Sequence, residues 1–190
     1  MKTLFIINPI SGKGSKDKLI SRLDEMGFEY VVTSKAGEGE ELARKATQDV
    51  VVAVGGDGTL NEVGRGILGT GKTLGIVPCG SGDGLARFLN IPHDVGKAVD
   101  VITAGKTIPL DAGLINGHPF FSVCGVGFDA NVSKAFAEAG RRGVLTYVEE
   151  ALRLWHNYSP EEFTIDIDGK KWTQEAVLVT VANSNQWGND

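Results

Sequence analysis

The chain has 190 residues, is 42% hydrophobic, 23% charged and 7% aromatic, and carries 19 basic against 24 acidic side chains for a net charge of -5. This is a soluble, globular composition near the border between one domain and two, and its acidic balance argues against a broad phosphate-tracking surface for nucleic acid. No uncharged apolar run approaches the roughly 18–20 residues that span a bilayer, the apolar start is too short for a secretory leader, and two cysteines without a C-x-x-C pair indicate neither a disulfide framework nor a zinc site, so a cytoplasmic protein is expected.

The first hundred residues alternate strand and helix signals. Residues 3–8 form an apolar run closed by Asn-Pro, and 15–26 place Leu19, Ile20 and Leu23 at helical spacing with Gly27 as the stop. Residues 28–33 predict a strand and 40–48 a helix with Leu42, Ala43 and Ala46 on one face. The β-branched run 50–54 predicts a fully buried strand, and it leads into Gly55-Gly56-Asp57-Gly58. A helix over 59–68, a strand over 74–77, a second glycine-rich loop over 78–84 and a short helix over 85–89 follow. The last element of this half is a helix over 94–104, with Asp94 as N-cap and Gly105 as stop. Short apolar strands alternating with helices predict an α/β domain on a parallel sheet, residues 1–106.

Beyond residue 106 the pattern changes. Runs 110–115 and 119–124 flank Asn116-Gly117, the strongest two-residue hairpin signal. Run 162–168 alternates apolar and polar positions, and Asp168-Gly169 turns it into 172–183. One helix is predicted between the hairpins, over 143–158. Its stripe of Val144, Val148, Ala151, Leu152 and Trp155 is read as core, with a lipid-facing helix as the minority reading. Residues 107–190 are therefore expected to begin a second, antiparallel domain with one helix. Two hairpins and a helix make a small core, and the chain is read as a fragment.

Glycine is over-represented, at 26 of 190 residues, against an average near ~7%. The glycines cluster at the ends of apolar runs. In Gly55-Gly56-Asp57-Gly58-Thr59 a buried strand, a glycine nest and a helix N-terminus follow one another, an arrangement that gathers backbone N–H groups on an anion. Asp57 would repel a phosphate, and makes sense where it meets a magnesium ion or the attacking hydroxyl; a plain helix cap is the alternative. The second loop, Gly80-Ser81-Gly82-Asp83-Gly84, and the first, Asn8-Pro9-Ile10-Ser11-Gly12-Lys13, are expected at the same sheet edge. The first offers the lone Lys13 and the Ser11 hydroxyl.

Two textual matches are refused. Residues 66–73 fit G-x-x-x-x-G-K-[ST] and 64–69 fit G-x-G-x-x-G, but a helix precedes them and a strand follows, the reverse of what phosphate binding needs. Asp111, on a strand entering the second domain, and Asp129, after the glycine-rich strand end Gly125-Val126-Gly127-Phe128, are candidate carboxylates. Arg141-Arg142 is a candidate anion holder, although a solvated pair is its commoner meaning.

These motifs carry a family likeness. Asn8-Pro9-x-Ser11-Gly12, Gly55-Gly56-Asp57-Gly58-Thr59-x-Asn61-Glu62 and Pro78-x-Gly80-Ser81-Gly82 resemble the diacylglycerol kinase catalytic-domain superfamily, which includes bacterial lipid kinases and sphingosine kinases. The likeness continues through Asp111-x-Gly113, Gly127-x-Asp129-Ala130 and Ala182-Asn183-Ser184-Asn185. It implies an ATP-binding α/β domain followed by a β-sandwich lipid-binding domain, with ATP and magnesium as cofactors. By that resemblance Asn8, Ser11, Gly12, Lys13 and Thr33 would line the nucleotide site. Gly55, Gly56, Gly58, Thr59 and Glu62 would belong to the phosphate loop, closed by Gly80, Ser81 and Gly82. Asp57 would be the essential acid, Asp111 part of a carboxylate–water–magnesium network, and Asp129, with Arg142, a contact of the lipid substrate. Many bacterial diacylglycerol kinases read Gly-Thr-x-Asn-Asp in the second loop, whereas Gly80-Ser81-Gly82-Asp83-Gly84 is closer to the sphingosine kinase version. The C-terminal strands that carry a catalytic glutamate in the bacterial members have no counterpart in these residues.

The resemblance implies an ATP-dependent kinase acting on a lipid hydroxyl, of diacylglycerol, a sphingoid base or a related lipid. It would touch the membrane surface peripherally and transiently, with a homodimer left open and no nucleic-acid partner. The alternatives are an NAD kinase-like enzyme, a P-loop NTPase depending on Lys72, and a non-catalytic nucleotide-binding module.

Overall fold

The computed structural model describes residues 1–12, 16–140 and 144–185. Four strands, β1 (Thr3–Ile7), β2 (Glu29–Val32), β3 (Val50–Gly55) and β4 (Thr73–Pro78), form a parallel sheet in the order β2-β1-β3-β4. The intervening helices are α1 (Lys16–Glu25), α2 (Glu38–Lys45), α3 (Asp57–Ile67), the short α4 (Gly84–Phe88) and α5 (Val95–Ala104).

The two-residue period of the strands sorts their side chains between two cores. Ile6, Val51, Ala53 and Ile76 pack with Ala43 of α2 and Leu60, Val63 and Ile67 of α3. Phe5, Ile7, Val50, Val52, Val54 and Val77 pack with Leu19 and Leu23 of α1 and Ala98 and Val99 of α5. A sheet covered on both faces explains the unbroken apolar run of β3. Ile7 stands opposite both Val32 and Val54, and Val54 opposite Val77, so the strands end level. The loops after β1, β3 and β4 therefore leave from one edge. The strand order reverses between β1 and β3, the place where open α/β sheets bind ligands.

Helix α5 has its expected caps: the Asp94 side chain accepts from the Lys97 N–H, and Gly105 stands at φ 65°. Helices α2 and α3 each start two residues ahead of the sequence expectation. For α2 the cap comes from outside its own segment, because Glu62 of α3 accepts from the Gly37 and Gly39 N–H groups. Residues 66–73 join the end of α3 to β4, so neither refused motif has the strand-then-helix setting that phosphate binding requires.

Strands β5 (Gly113–Ile115) and β6 (His118–Phe120) pair antiparallel through the predicted turn, with Asn116 at φ 50° and Gly117 at φ 80°. The chain divides into two compact units, Met1–Ser122 with the stretch from Ala182 onward, and Val123–Val181. The division does not coincide with the change of pattern near residue 107. The hairpin stays with the first unit because Phe121 is buried in the core that includes α3. The Asn183 side chain adds to this by donating to the Phe121 carbonyl (3.0 Å) and to that of Asp111.

The second unit holds β7 (Val123–Gly127), α6 (Phe128–Glu138), α7 (Val144–Trp155), β8 (Glu161–Ile167), β9 (Lys170–Ala176) and all but the last residue of β10 (Leu178–Ala182). Strands β8 and β9 form the predicted antiparallel hairpin, and β10 pairs with β7. Three departures from expectation stand out. The single helix expected here is two, since the helical spacing of Phe128, Val132 and Phe136 was masked by the glycines before it, which read as a strand end. The strand expected over 172–183 breaks at Val177, whose carbonyl accepts from the Phe128 N–H and the Tyr158 hydroxyl. The α7 stripe expected as core is largely exposed, with Leu152 at 68% and Trp155 at 57%.

Helices α2 and α3 approach closely at Gly66, where a Cβ would lie 2.5 Å from the Glu40 carbonyl oxygen and 2.7 Å from Ala43 Cβ. In an open helix Gly→Ala gains about 1 kcal/mol of helix propensity. Here Gly66→Ala is expected to lower stability by about 1–3 kcal/mol instead, the range for overpacking, as read from urea unfolding. A stabilised variant would show that the two helices do not touch at this point.

Candidate functional site

The level strand ends bring Asn8, Thr33, Gly55 and Pro78 to one edge, and side chains then tie the loops together. Asn8 follows β1. Its Nδ2 donates to Thr59 Oγ1 (3.0 Å) in α3, and its Oδ1 accepts from the Ile10 N–H (2.9 Å), closing the first loop on itself. Gly12 lies against the second loop, where a Cβ would stand 3.1 Å from the Cys79 carbonyl oxygen. Thr33 is buried, and its N–H and hydroxyl both turn to the Ile7 carbonyl.

The loops after β3 and β4 meet backbone to backbone. A Cβ on Gly80 would lie 2.7 Å from Gly56 Cα, so no larger residue fits there without parting the loops. Gly56 is the N-cap of α3 and has no side chain to offer, and the first helical bond of α3 runs from the Leu60 N–H to the Gly56 carbonyl. The N–H groups of Asp57, Gly58 and Thr59 precede that bond and have no partner within the helix. Beside Gly58 a Cβ would meet nothing within 4 Å. A helix start whose first N–H groups have no partner within the helix favours an anion such as a phosphate.

Asp57 turns to the second loop. Its Oδ2 accepts from the Asp83 N–H (2.9 Å) and its Oδ1 from the Gly84 N–H (3.0 Å). Arg87 holds the same loop from the other side, its Nε donating to the Gly82 carbonyl (2.8 Å). Asp83 is buried with a left-handed backbone; its Oδ1 accepts from the Gly80 N–H (3.1 Å). Its Oδ2 makes no hydrogen bond and stands 3.5 Å from His93 Nδ1. Burial pushes the Asp83 carboxyl above the ordinary carboxylate range and the nearby charge of Asp57 adds to this, while the Gly80 N–H, His93 and Arg87 oppose it. A cleft of about 990 Å³ opens beside the loops, with Gly12, Cys79, Gly80, Lys18, Arg22 and His93 in its lining.

Other sequence candidates fall elsewhere. Glu62 uses both carboxylate oxygens on the start of α2, so its visible task is a helix cap rather than phosphate contact. Asp111 is exposed and precedes β5 instead of lying within a strand. Among the described residues no three metal-ligating side chains come together. Magnesium bound with a nucleotide takes one or two carboxylates plus phosphate oxygens and water, a mode that needs no all-protein cage. Ser11 and Ser81 lie on the loops, Ser81 exposed. Lys13 and Arg142 lie outside the described residues. Asp129 sits in the first turn of α6, where its Oδ1 accepts from the Tyr147 hydroxyl (2.8 Å). Sequence reasoning missed Arg87, His93 and Tyr147. Only Asp83 gave a signal, as an acid in a glycine loop.

A family model described as the diacylglycerol kinase catalytic domain matches residues 2–115, and one described as the YegS C-terminal NAD kinase beta sandwich-like domain matches residues 122–190. The chain is similar to a diacylglycerol kinase of Bacillus subtilis (strain 168), 32% identical over 96% of this chain and 65% of that protein. It is also similar to a diacylglycerol kinase of Staphylococcus carnosus (strain TM300), 29% identical over 95% of this chain and 63% of that protein. The chain thus spans less than two thirds of the length of these relatives. A crystal structure of a diacylglycerol kinase from Bacillus anthracis str. Sterne superposes with a TM-score of 0.76 at 27% identity, covering 97% of this chain and 65% of that one. No helix among the described residues is long and apolar enough to cross a membrane.

The raised Asp83 carboxyl has a consequence for stability. The folded state holds this proton more tightly than the unfolded chain, so stability falls as pH rises above the ordinary carboxylate range. Asp83→Asn keeps an acceptor for the Gly80 N–H and removes the buried charge. The variant is expected to unfold at higher urea than the parent at pH 7, with the gap closing as the pH drops toward 4. A gap independent of pH would show that Asp83 is not held in this way.

Proposed function

The chain belongs to the diacylglycerol kinase catalytic-domain family, and we propose that it binds ATP at the glycine loops and transfers the γ-phosphoryl group to a lipid hydroxyl. The observation that carries this reading is the start of α3: N–H groups without a partner inside the helix, open space beside Gly58, and Asp57 in the same first turn. Phosphoryl transfer asks a protein mainly for positioning and charge stabilisation, which preorganised backbone donors supply.

In this reading the N–H groups of Asp57, Gly58 and Thr59 receive phosphate oxygens. The Gly56–Gly80 contact holds the two loops at the spacing the phosphates need. Asn8 keeps Thr59 in place, and Ser11, Gly12, Thr33, Ser81 and Gly82 border the nucleotide. Each Asp57 oxygen accepts one backbone N–H and keeps further acceptor capacity. Asp57 orients the acceptor hydroxyl and takes its proton late, as a loose transition state allows. Asp111 is the carboxylate proposed for magnesium, which when bound would neutralise charge on the phosphates. Asp129 is proposed to meet the lipid headgroup, and contact with the membrane is brief and peripheral.

Transfer of label from [γ-32P]ATP to diacylglycerol, a sphingoid base or NAD separates a lipid kinase from an NAD kinase-like enzyme, and ATP binding without any transfer would leave a nucleotide-binding module. Within the lipid kinase reading, Asp57→Asn is expected to lower kcat by roughly a hundredfold or more, the scale of general base catalysis. ATP affinity by calorimetry should fall by far less than kcat, through the loss of one of the two loop N–H bonds, because the amide has a single acceptor oxygen. An unchanged kcat would remove Asp57 from the chemistry and leave it as a loop clamp.

A further inference from the structure

Asp129 and Tyr147 come from the two helices of the second unit and meet at 2.8 Å, the Tyr147 hydroxyl donating to Asp129 Oδ1. Aromatic contacts hold the two helices on both sides of this bond. Tyr147 packs edge-on against Phe136 of α6, with ring centroids 5.8 Å apart. Phe128, next to Asp129, packs edge-on against Trp155 and Tyr158 at 5.3 and 5.1 Å. Tyr158 in turn donates to the Val177 carbonyl. The Tyr147 ring is thereby held against α6, within reach of Asp129. Tyr147 also lines an apolar groove of about 370 Å³ together with Phe128, Val148 and Leu152.

A carboxylate has two oxygens and about four acceptor positions, and a single phenol uses one of them. We propose that Tyr147 is a positioning residue for Asp129: it takes one carboxylate oxygen, fixes the plane of the group, and leaves Oδ2 to accept from a hydroxyl or ammonium on the lipid headgroup. This rests on the reading of Asp129 as the headgroup acid. A carboxylate already held in one orientation loses less freedom on binding, which favours affinity. The phenol also stays a donor across the working pH range, since burial first and the Asp129 bond second push its pKa up to about 12.

The test uses the full-length protein with [γ-32P]ATP and either dioleoylglycerol or sphingosine in mixed micelles. Tyr147→Phe keeps the ring and its contact with Phe136 and removes only the hydroxyl; it is compared with Asp129→Asn and the double variant. Tyr147→Phe is expected to raise the lipid KM roughly tenfold, the scale of one hydrogen bond to a charged group. The ATP KM and Tm should stay near the parent values. Adding Tyr147→Phe to Asp129→Asn should change little more, because the group it positions is already altered. An unchanged lipid KM in Tyr147→Phe, with a raised one in Asp129→Asn, overturns the positioning role and leaves the headgroup reading standing. A lower Tm with unchanged kinetics marks Tyr147 as a helix staple and equally overturns it. An unchanged lipid KM in Asp129→Asn overturns the headgroup reading and this inference together, as does failure to label either lipid.

Discussion

The site depends on one carboxylate placed between two loops. Asp57 begins α3, and both of its oxygens accept backbone N–H groups from residues 83 and 84. The sheet brings the ends of β3 and β4 level, but it does not by itself order a loop in which three of the five residues from 80 to 84 are glycine. Such a segment loses much conformational freedom on folding, and each bond to an ionised acceptor contributes about 1.5–3 kcal/mol against that loss. The acid is favoured at its own position as well, since the start of a helix attracts negative charge.

Around that bond the loops brace one another through contacts that leave little room for side chains. Asn8 reaches Thr59, Gly12 abuts Cys79, and Gly56 and Gly80 touch through their backbones. The outcome is a helix start held in place by its neighbouring loops, the kind of preorganisation on which electrostatic catalysis relies. It has a local cost in Asp83, a buried carboxylate with one oxygen unbonded, which His93 and Arg87 offset only in part. Glu62 shows the same economy of position from the other side of α3: its carboxylate caps α2 across a gap of more than twenty residues. One helix thus serves the glycine loops with its first residue and the neighbouring helix with its sixth.

Much of the first unit was legible in the chain. The four strands, the caps of α5 and the Asn116-Gly117 turn stand where spacing and turn chemistry put them. The refusal of the two nucleotide motifs at 64–73 holds because the order of helix and strand is itself a sequence property. The second unit was less legible. Helix α6 was hidden behind the glycines of β7, and the strand expected through Val177 breaks because that carbonyl is claimed by Phe128 and Tyr158. The α7 stripe has the spacing of a core face, yet much of it is exposed. Periodicity reports which side chains share a face and says nothing of what, if anything, covers it.

The sequence by itself determined the local grammar of the first unit: which runs form its parallel sheet, where glycine allows a turn or a close approach, and which loops share one sheet edge. Those properties depend on residues a few positions apart, and the two-residue and 3.6-residue periods carry them. Tertiary structure decided what each acid does. Asp57 meets residues 26 and 27 positions away, Glu62 residues 25 and 23 away, and Asp129 a phenol 18 away. Such pairings follow from strand register and helix packing, which bring together groups that no local pattern links, so the same residue type becomes a loop clamp, a helix cap or a headgroup candidate according to what the fold places opposite it.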